Sequence, residues 1–435
     1  MLFMLCAPCL GMKLSPDNPL RRTGFRLLML FQTIGSMGGG FHFVASHWIL
    51  FEETGSTKAT AWLVLSYLMP PLFLLPVCGV LADRYDRRKL LMGACLYIFL
   101  MDLGLLALMG SGGFRPSHLY GYAALMTLGG ALYWTTLPAF LREHLGKDEL
   151  LRANSLLTVL VQGGYLLGAG LAGVLYSRLG AIGCFAVDAA GLAVGTLGWL
   201  VIRRWFPDRP RKPRGKWGFR EFFGEFAEGV NYARNNLPLF FFALFGLVPR
   251  LAAQMTNVLL AGFSRDSLKA GAKGFGLIDM SYGLGAMLCG LSLPAFLDRF
   301  GARAFLPTVA LLLAALTCVG LSFSSSLLYA MTCMMAYACV VHIVGILANT
   351  TLQRDCHEDV VGRLGSLVMV VQYMFAPILV WSLGTYAEQR VGLLIHEDPL
   401  RDGFVAVTIF FLLLSGGSLF GAYPFLKRLK GRNGN

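Results

Sequence analysis

Long apolar runs, separated by mostly short polar connections, make up most of the chain. Each run reaches the roughly 20 residues that an α-helix needs to cross about 30 Å of hydrocarbon. The pattern predicts twelve such helices, over residues 26–50, 59–82, 90–110, 119–141, 153–176, 181–202, 238–262, 275–297, 304–323, 327–352, 363–386 and 403–426. Because short connections keep consecutive helices adjacent and antiparallel, we predict an all-α membrane protein with twelve transmembrane helices.

One long connection, at 203–237, divides these helices into two groups of six. It begins as a basic, Pro-rich linker and continues with apolar residues at helical spacing, which is typical of an amphipathic helix on a membrane surface. These apolar residues are Phe219, Phe222, Phe223, Phe226, Val230 and Ala233. The predicted domains are an N-terminal cytoplasmic segment (1–25), a six-helix bundle (26–202), this cytoplasmic linker (203–237), a second six-helix bundle (238–426) and a cytoplasmic tail (427–435). The pattern leaves open whether the linker is a tether or a regulatory segment.

Composition agrees with a membrane protein, since 56% of the 435 residues are hydrophobic and 14% are charged. In a soluble globular protein, about a quarter of the residues are charged. The composition therefore excludes a soluble enzyme and a disordered chain. The net charge of +13 comes from 37 Lys and Arg residues, most of which fall in alternate connections. Because such residues are retained on the cytoplasmic side, we predict that both termini lie there. The lipid bilayer is an expected partner, and nucleic acid is not, because little polar surface remains for phosphates.

The two halves of the chain carry the same motif at corresponding connections, which indicates an internal duplication. Residues 81–88 parallel 296–303, and residues 152–156 parallel 363–367. The segment from Gly79 has the sequence Gly-Val-Leu-Ala-Asp-Arg-Tyr-Asp-Arg-Arg-Lys-Leu-Leu. It resembles the signature loop of the major facilitator superfamily, except that Asp86 stands where Gly is usual. The resemblance implies the major facilitator fold, in which two pseudo-symmetric six-helix bundles work by alternating access.

The same resemblance implies that this motif acts as a conformational latch. An aspartate at the cytoplasmic end of a helix, followed by a tight turn and basic residues, can form charge-assisted hydrogen bonds with a neighbouring helix. The implied latch residues are Gly79, Asp83, Arg84, Arg87, Arg88, Asp298, Arg299 and Arg363. The alternative is that these cations only set the membrane topology.

Further segments resemble one branch of the superfamily. Residues 150–154, 184–189 and 229–236 are similar to the branch that holds the enterobactin exporter and the macrolide efflux pumps. The fifth run resembles the glycine-rich antiporter motif of drug exporters, with Ala169 in place of its usual Pro. Its glycines are Gly163, Gly164, Gly168, Gly170 and Gly173. The resemblance to this branch implies outward transport across a bacterial inner membrane.

Polar side chains inside the apolar runs are the candidate binding residues, because charge at the bilayer centre costs about 2.5–3.5 kcal/mol. Arg250, Gln254 and Asn257 share one helical face at i, i+4 and i+7. The resemblance implies that runs 1, 4, 7 and 10 line a central cavity. The predicted substrate-binding residues are Arg250, Gln254, Asn257, His342, Gln32, His42, Tyr133 and Trp134. An interhelical hydrogen-bond network is the alternative for the polar face, and a packed imidazole is the alternative for each histidine.

Three acidic residues lie inside other runs, and we expect them to be placed separately: Asp102, Asp188 and Asp279. A buried carboxylate can carry a proton, so Asp102 and Asp188, together with His342, are the predicted proton-coupling residues. The alternative to a proton-coupling role is an acid that stays protonated and donates a hydrogen bond to a backbone carbonyl. Its energetic cost is equally low. No metal site and no cofactor are expected.

The predicted spans, the resemblance and the polar residues together predict a secondary transporter for a small molecule. We expect it to be driven by protons and to be monomeric. The expected cavity holds Arg250, imidazoles and amides but no carboxylate, which favours export of an anionic or polyhydroxy molecule such as a siderophore, or of a drug. An importer of an iron chelate or metabolite and a lysophospholipid transporter are the alternatives. The sequence lacks an ATP-binding loop and the Gly-x-Ser-x-Gly and His-Glu-x-x-His motifs, so we expect neither an ATP-driven pump nor an enzyme.

Overall fold

A computed structural model of the chain describes residues 21–145, 147–206, 230–300, 305–355, 358–388 and 398–420. These residues form helices joined by turns, and no strand occurs among them. The α-helices are α1 (Thr23–Thr54), α2 (Thr57–Arg84), α3 (Arg87–Gly110), α4 (His118–His144), α5 (Lys147–Val201), α6 (Leu237–Leu244), α7 (Val248–Gly262), α8 (Gly271–Phe300), α9 (Leu306–Ser322), α10 (Leu327–Asp355), α11 (Glu358–Glu388) and α12 (Pro399–Phe420). Within the described ranges, 10 helices are long and apolar enough to cross a membrane, and α9 is a shorter apolar helix.

Helix α5 contains two of the predicted spans. Its 55 residues would extend about 80 Å at 1.5 Å per residue, far more than one bilayer crossing needs. Gly180 interrupts the helix with φ 64° and ψ −165°, a conformation that glycine adopts without steric cost. The predicted runs 153–176 and 181–202 lie on either side of Gly180, so this residue separates the fifth and sixth spans.

The seventh span is broken, whereas the sequence predicts one continuous helix over 238–262. A 3₁₀ turn at Phe245–Leu247 joins α6 to α7, and Pro249 lies in the first turn of α7. Proline has no backbone N–H to donate to the preceding turn, so it is tolerated at a helix start and disrupts a helix interior. The break therefore coincides with the position of Pro249 at the start of α7. Each of the twelve predicted runs otherwise corresponds to a helix, and the all-α fold class is confirmed.

The chain divides into two compact units. The first contains Met1–Thr54 and Ser66–Trp217, and the second contains Gly55–Leu65 and Gly218–Asn435. The first part of α2 thus belongs to the second unit. Its contacts there include the α11 carboxylate of Glu388, which accepts hydrogen bonds from the Ser56 hydroxyl at 2.7 Å and the Lys58 backbone N–H at 2.9 Å.

Glycines bring α1 and α5 into backbone contact in the first unit. A Cβ atom added to Gly40 would lie 2.6 Å from the backbone nitrogen of Ala169, and one added to Gly168 would overlap the carbonyl oxygen of Met37. Small residues allow membrane helices to approach closely enough for van der Waals contact between backbones. The glycine-rich pattern of the fifth span is therefore a packing surface for α1.

Asp86, the departure from the signature loop, is the N-cap of α3. Its carboxylate accepts hydrogen bonds from the backbone N–H groups of Arg88 at 2.9 Å and Lys89 at 3.2 Å. The first N–H groups of a helix have no partner within the helix, and an aspartate at this position supplies one. The aspartate thus has a local structural reason to replace glycine.

We expect Asp86→Ala to lower the free energy of unfolding by about 1 kcal/mol, the usual effect of losing an N-cap side chain. Asp86→Ser is the matched control, because a serine hydroxyl can accept the same hydrogen bonds, and it should retain most of the stability. The measurement is the thermal midpoint of the full chain purified in detergent. Equal midpoints for the alanine and serine variants would contradict the capping role.

Candidate functional site

Two carboxylates and one imidazole meet in the interior of the first unit. His42 comes from α1, Asp102 from α3 and Asp188 from the second half of α5, and they are 5%, 0% and 1% exposed. Each offers one nitrogen or oxygen atom, and these atoms lie within 4.8 Å of one another. The sequence-based expectation that Asp102 and Asp188 are placed separately is therefore wrong. We call these three residues the buried cluster.

Two tyrosines complete the hydrogen bonding of the buried cluster. The Tyr122 hydroxyl donates to Asp102 Oδ1 and lies 3.2 Å from His42 Nδ1. The Tyr67 hydroxyl lies 2.8 Å from His42 Nε2, and Asp188 Oδ2 lies 3.1 Å from His42 Nδ1. Sequence reasoning missed both tyrosines. Buried acidic side chains usually have hydrogen-bond partners, so the sequence indicates that such partners exist. It does not indicate which span supplies them.

The buried cluster places two carboxylates close together in the protein interior. Asp102 Oδ2 is buried without a hydrogen-bond partner, and an unpaired charge in a low-dielectric interior is costly. With both carboxylates ionised, the second negative charge needs a nearby positive charge. A proton on His42 or between the carboxylates supplies this positive charge. One small cation at the centre could instead contact one nitrogen or oxygen atom of each of the three residues. The arrangement thus has room in its charge balance for one proton or one small cation.

Gln32 and Tyr133, two predicted binding residues, meet in the first unit. The Tyr133 hydroxyl, on α4, donates to Gln32 Oε1, on α1. The Tyr133 ring is buried and lies edge-on to the exposed ring of Trp134, with 5.9 Å between the ring centroids. The structure thus joins Gln32 to Tyr133 and leaves the Trp134 ring on the surface of this unit.

Arg250 lies on α7 of the second unit and is exposed. Its Nη1 atom donates to Gln372 Oε1 at 3.5 Å, and Gln372, on α11, is 4% exposed. Gln372 is a residue that sequence reasoning missed. The other members of the predicted polar face, Gln254 and Asn257, are half-buried.

His342, on α10, has a local partner. Its Nδ1 atom donates to the backbone carbonyl of Ala338 at 2.8 Å, and its ring packs on Tyr282 with 5.7 Å between the ring centroids. This hydrogen bond joins residues four apart in the same helix. It is the bond expected for a histidine that is packed within its helix. Its roles in substrate binding and proton coupling stay predictions.

Arg87, one of the predicted latch residues, makes contacts within the first unit. Arg87 donates to the backbone carbonyls of Ala82 and Ala139 at 3.2 and 2.8 Å and pairs with the Glu143 carboxylate at 3.0 Å. These bonds tie the start of α3 to α2 and α4.

The role of all these residues as a conformational latch stays a prediction. Arg88 donates to the Phe206 carbonyl at 3.1 Å, Gly79 lies in α2, and Arg299 is exposed near the end of α8. The other predicted latch side chains lie outside the described part of the structure: Asp83, Arg84, Asp298 and Arg363.

Comparisons with known proteins agree on the kind of molecule. A family model described as a transmembrane secretion effector matches residues 14–393. Macrolide efflux protein A of Streptococcus pyogenes is 23% identical over 362 residues, covering 79% of this chain and 84% of that protein. Multidrug efflux pump Tap of Mycolicibacterium fortuitum is 24% identical over 427 residues, covering 94% of this chain and 98% of that protein.

Solved structures with the same architecture are also transporters. The nucleoside transporter NupG gives a TM-score of 0.70 at 12% identity, covering 91% of this chain and 98% of its own. A bacterial homologue of the human lysosomal transporter Spinster, in an inward-facing conformation, gives 0.67 at 17% identity, covering 95% and 99%. At these identities the likeness shows the fold alone, and it is the fold that the sequence predicts.

Proposed function

The chain belongs to the transmembrane secretion effector family of the major facilitator superfamily, and we propose that it is a proton-driven exporter of small organic molecules. It is a multi-pass membrane transporter and not an enzyme. The proposal includes alternating access of two six-helix bundles, a monomeric chain and a bacterial inner membrane with both termini in the cytoplasm. The observation that carries it is the similarity to the efflux pump Tap over 94% of this chain.

The substrate class is part of the proposal. The names of the relatives support an organic drug, macrolides among them. Arg250 supports an acidic or polyhydroxy group on the substrate, because a guanidinium binds carboxylates and hydroxyl oxygens through several hydrogen bonds in one plane. A carboxylate or catecholate siderophore would meet the same requirement.

Proton coupling rests on the buried cluster. An exporter driven by the proton gradient needs a group inside the membrane that is protonated on one side and deprotonated on the other. Ionisable residues within membrane spans are expensive and commonly serve as proton relays. His42, Asp102 and Asp188 are such residues, and the unpartnered Asp102 Oδ2 atom supports a proton as the missing charge.

We expect everted bacterial membrane vesicles that contain the full chain to lose protons from their acidified interior when a macrolide or a siderophore is added. Arg250→Gln should weaken the apparent affinity for an anionic substrate about tenfold or more, since a charge-assisted hydrogen bond contributes about 1.5–3 kcal/mol. Arg265→Gln is the matched control, because Arg265 is an exposed arginine in the turn after α7. The measurement is the fluorescence of a pH-sensitive dye against substrate concentration.

Three results would contradict the proposal. Uptake of an iron chelate by intact producing cells would indicate an importer, and flipping of a labelled lysophospholipid in proteoliposomes would indicate a lipid transporter. Unchanged affinity for an anionic substrate in Arg250→Gln would remove Arg250 from the site. Each result is distinguishable from poor expression, because the amount of chain in the membrane is measured in parallel.

A further inference from the structure

The second unit contains an apolar cavity between α7, α11 and α12, together with the end of α6. Its volume is about 380 Å³, within the range of roughly 300–1,000 Å³ that is typical of small-molecule sites. Its lining includes Phe245, Leu251, Val371, Phe375, Leu379 and Leu413. Phe375 and Leu413 are 55% and 72% exposed, so the cavity reaches the apolar surface of the unit.

The corresponding helices of the first unit are in backbone contact. In a six-plus-six duplication, α7 corresponds to α1, and α11 corresponds to the first half of α5. The α1 and α5 backbones are in contact through Gly40 and Gly168. In the second unit, large apolar side chains of α7, α11 and α12 line the cavity.

One polar side chain reaches this cavity, and it is bonded to an arginine. Gln372 lines the cavity and accepts the hydrogen bond from Arg250 at 3.5 Å. The guanidinium of Arg250 is exposed, while Gln372 is buried. A cationic group and an apolar space are therefore connected through a single amide. Such a pair is complementary to a molecule with an acidic end and an apolar body.

We propose that this cavity binds the apolar part of an amphipathic organic anion whose acidic group pairs with Arg250. The inference rests on the proposed export function and narrows its substrate class. The ligand is the exported molecule, which enters from the bilayer, where amphipathic molecules accumulate. A cavity of this volume suits a ring system or a single alkyl chain better than the two acyl chains of a phospholipid.

The test is equilibrium binding to the full chain in nanodiscs of phosphatidylcholine, with 11-(dansylamino)undecanoic acid as the probe and its methyl ester as the uncharged comparison. The wild-type chain should bind the acid about tenfold or more tightly than the ester. Arg250→Gln should remove this preference and still bind the ester. Leu379→Trp, which fills the cavity, should weaken the binding of both probes. Leu316→Trp, at an exposed position on α9, is the control and should match the wild type.

Three outcomes would overturn the inference. Equal binding of acid and ester by the wild type would remove the acidic end from the site. Unchanged binding in well-folded Leu379→Trp would exclude the cavity as the binding site of the probes. Displacement of the probe by phosphatidylglycerol in the nanodisc, with drug export unaffected by either variant, would identify a lipid site. Because binding is measured without transport, any of these results together with intact macrolide export would leave the proposed function standing.

Discussion

Asp102→Asn and Asp188→Asn are each expected to abolish proton-driven export while leaving substrate binding intact. Asparagine has nearly the same shape as aspartate and keeps an oxygen that can accept the Tyr122 hydrogen bond, but it cannot take up or release a proton. The buried cluster would then hold one carboxylate fewer, so the second negative charge that needs a balancing proton is absent. Export driven by an imposed pH gradient should fall by more than about tenfold. This factor corresponds to a loss of about 1.4 kcal/mol or more in the driven step.

The two activities are separated by measuring them in the same proteoliposomes. Net export against a gradient needs proton release, whereas exchange of labelled for unlabelled substrate does not. The asparagine variants should therefore retain exchange and lose the acceleration by an inward-directed proton gradient. Their rates should also depend less on pH across the range in which the wild-type rate changes, because one of the titratable groups of the cluster is absent. A wild-type response to the gradient in both variants would exclude the buried cluster as the proton carrier and leave His342 as the next candidate.

Asp402→Asn provides the matched control for this experiment. Asp402 is also buried, and it accepts a hydrogen bond from the Tyr386 hydroxyl at 3.3 Å, but it lies in the second unit, outside the buried cluster. The substitution therefore repeats the loss of a buried carboxylate in a similar polar environment. It should leave proton-driven export close to the wild-type rate. If Asp402→Asn had the same effect as Asp188→Asn, the loss would reflect any buried aspartate and not the cluster.

The membrane spans are predictable because the bilayer imposes one simple condition. Every backbone polar group in hydrocarbon must be hydrogen-bonded within the chain, so a long apolar run becomes a helix. In the described part of the chain, this rule holds for the twelve runs, with one break in the seventh. It does not predict the break before α7, which depends on the position of Pro249 within the run. It does predict separate runs on either side of Gly180, where the structure has a kink with non-helical backbone angles.

The pairing of polar side chains is not predictable in the same way. Asp102 and Asp188 are recognisable in the sequence as costly residues, but their meeting with His42 depends on the rotation and depth of three helices. Hydropathy does not determine either quantity, because an apolar helix presents a similar surface to lipid and to protein. The same holds for Gln372, which looks like an isolated polar residue until its distance from Arg250 is known.

Gly40→Ala is expected to prevent stable packing of the first unit, whereas Gly39→Ala is expected to be harmless. The two glycines are adjacent in α1, yet a Cβ atom on Gly39 would have no atom within 4 Å outside its own surroundings in the helix. On Gly40 the added carbon would meet backbone atoms of Tyr165 and Ala169, the latter at 2.6 Å. Backbone atoms cannot rotate away as a side chain can, so α1 and α5 would have to separate.

The separation should cost more than the roughly 1–3 kcal/mol of an overpacked core, because it also loosens the contact that holds His42 near Asp188. Gly39→Ala should gain slightly, since alanine favours a helix by about 0.5–1 kcal/mol over glycine. The measurements are the yield of monodisperse protein after size-exclusion chromatography and its thermal midpoint in detergent. Gly168→Ala, which opposes Met37 from the α5 side, should reproduce the defect. Similar midpoints for Gly39→Ala and Gly40→Ala would mean that α1 and α5 do not pack backbone against backbone, and the arrangement of the buried cluster would then lose its support.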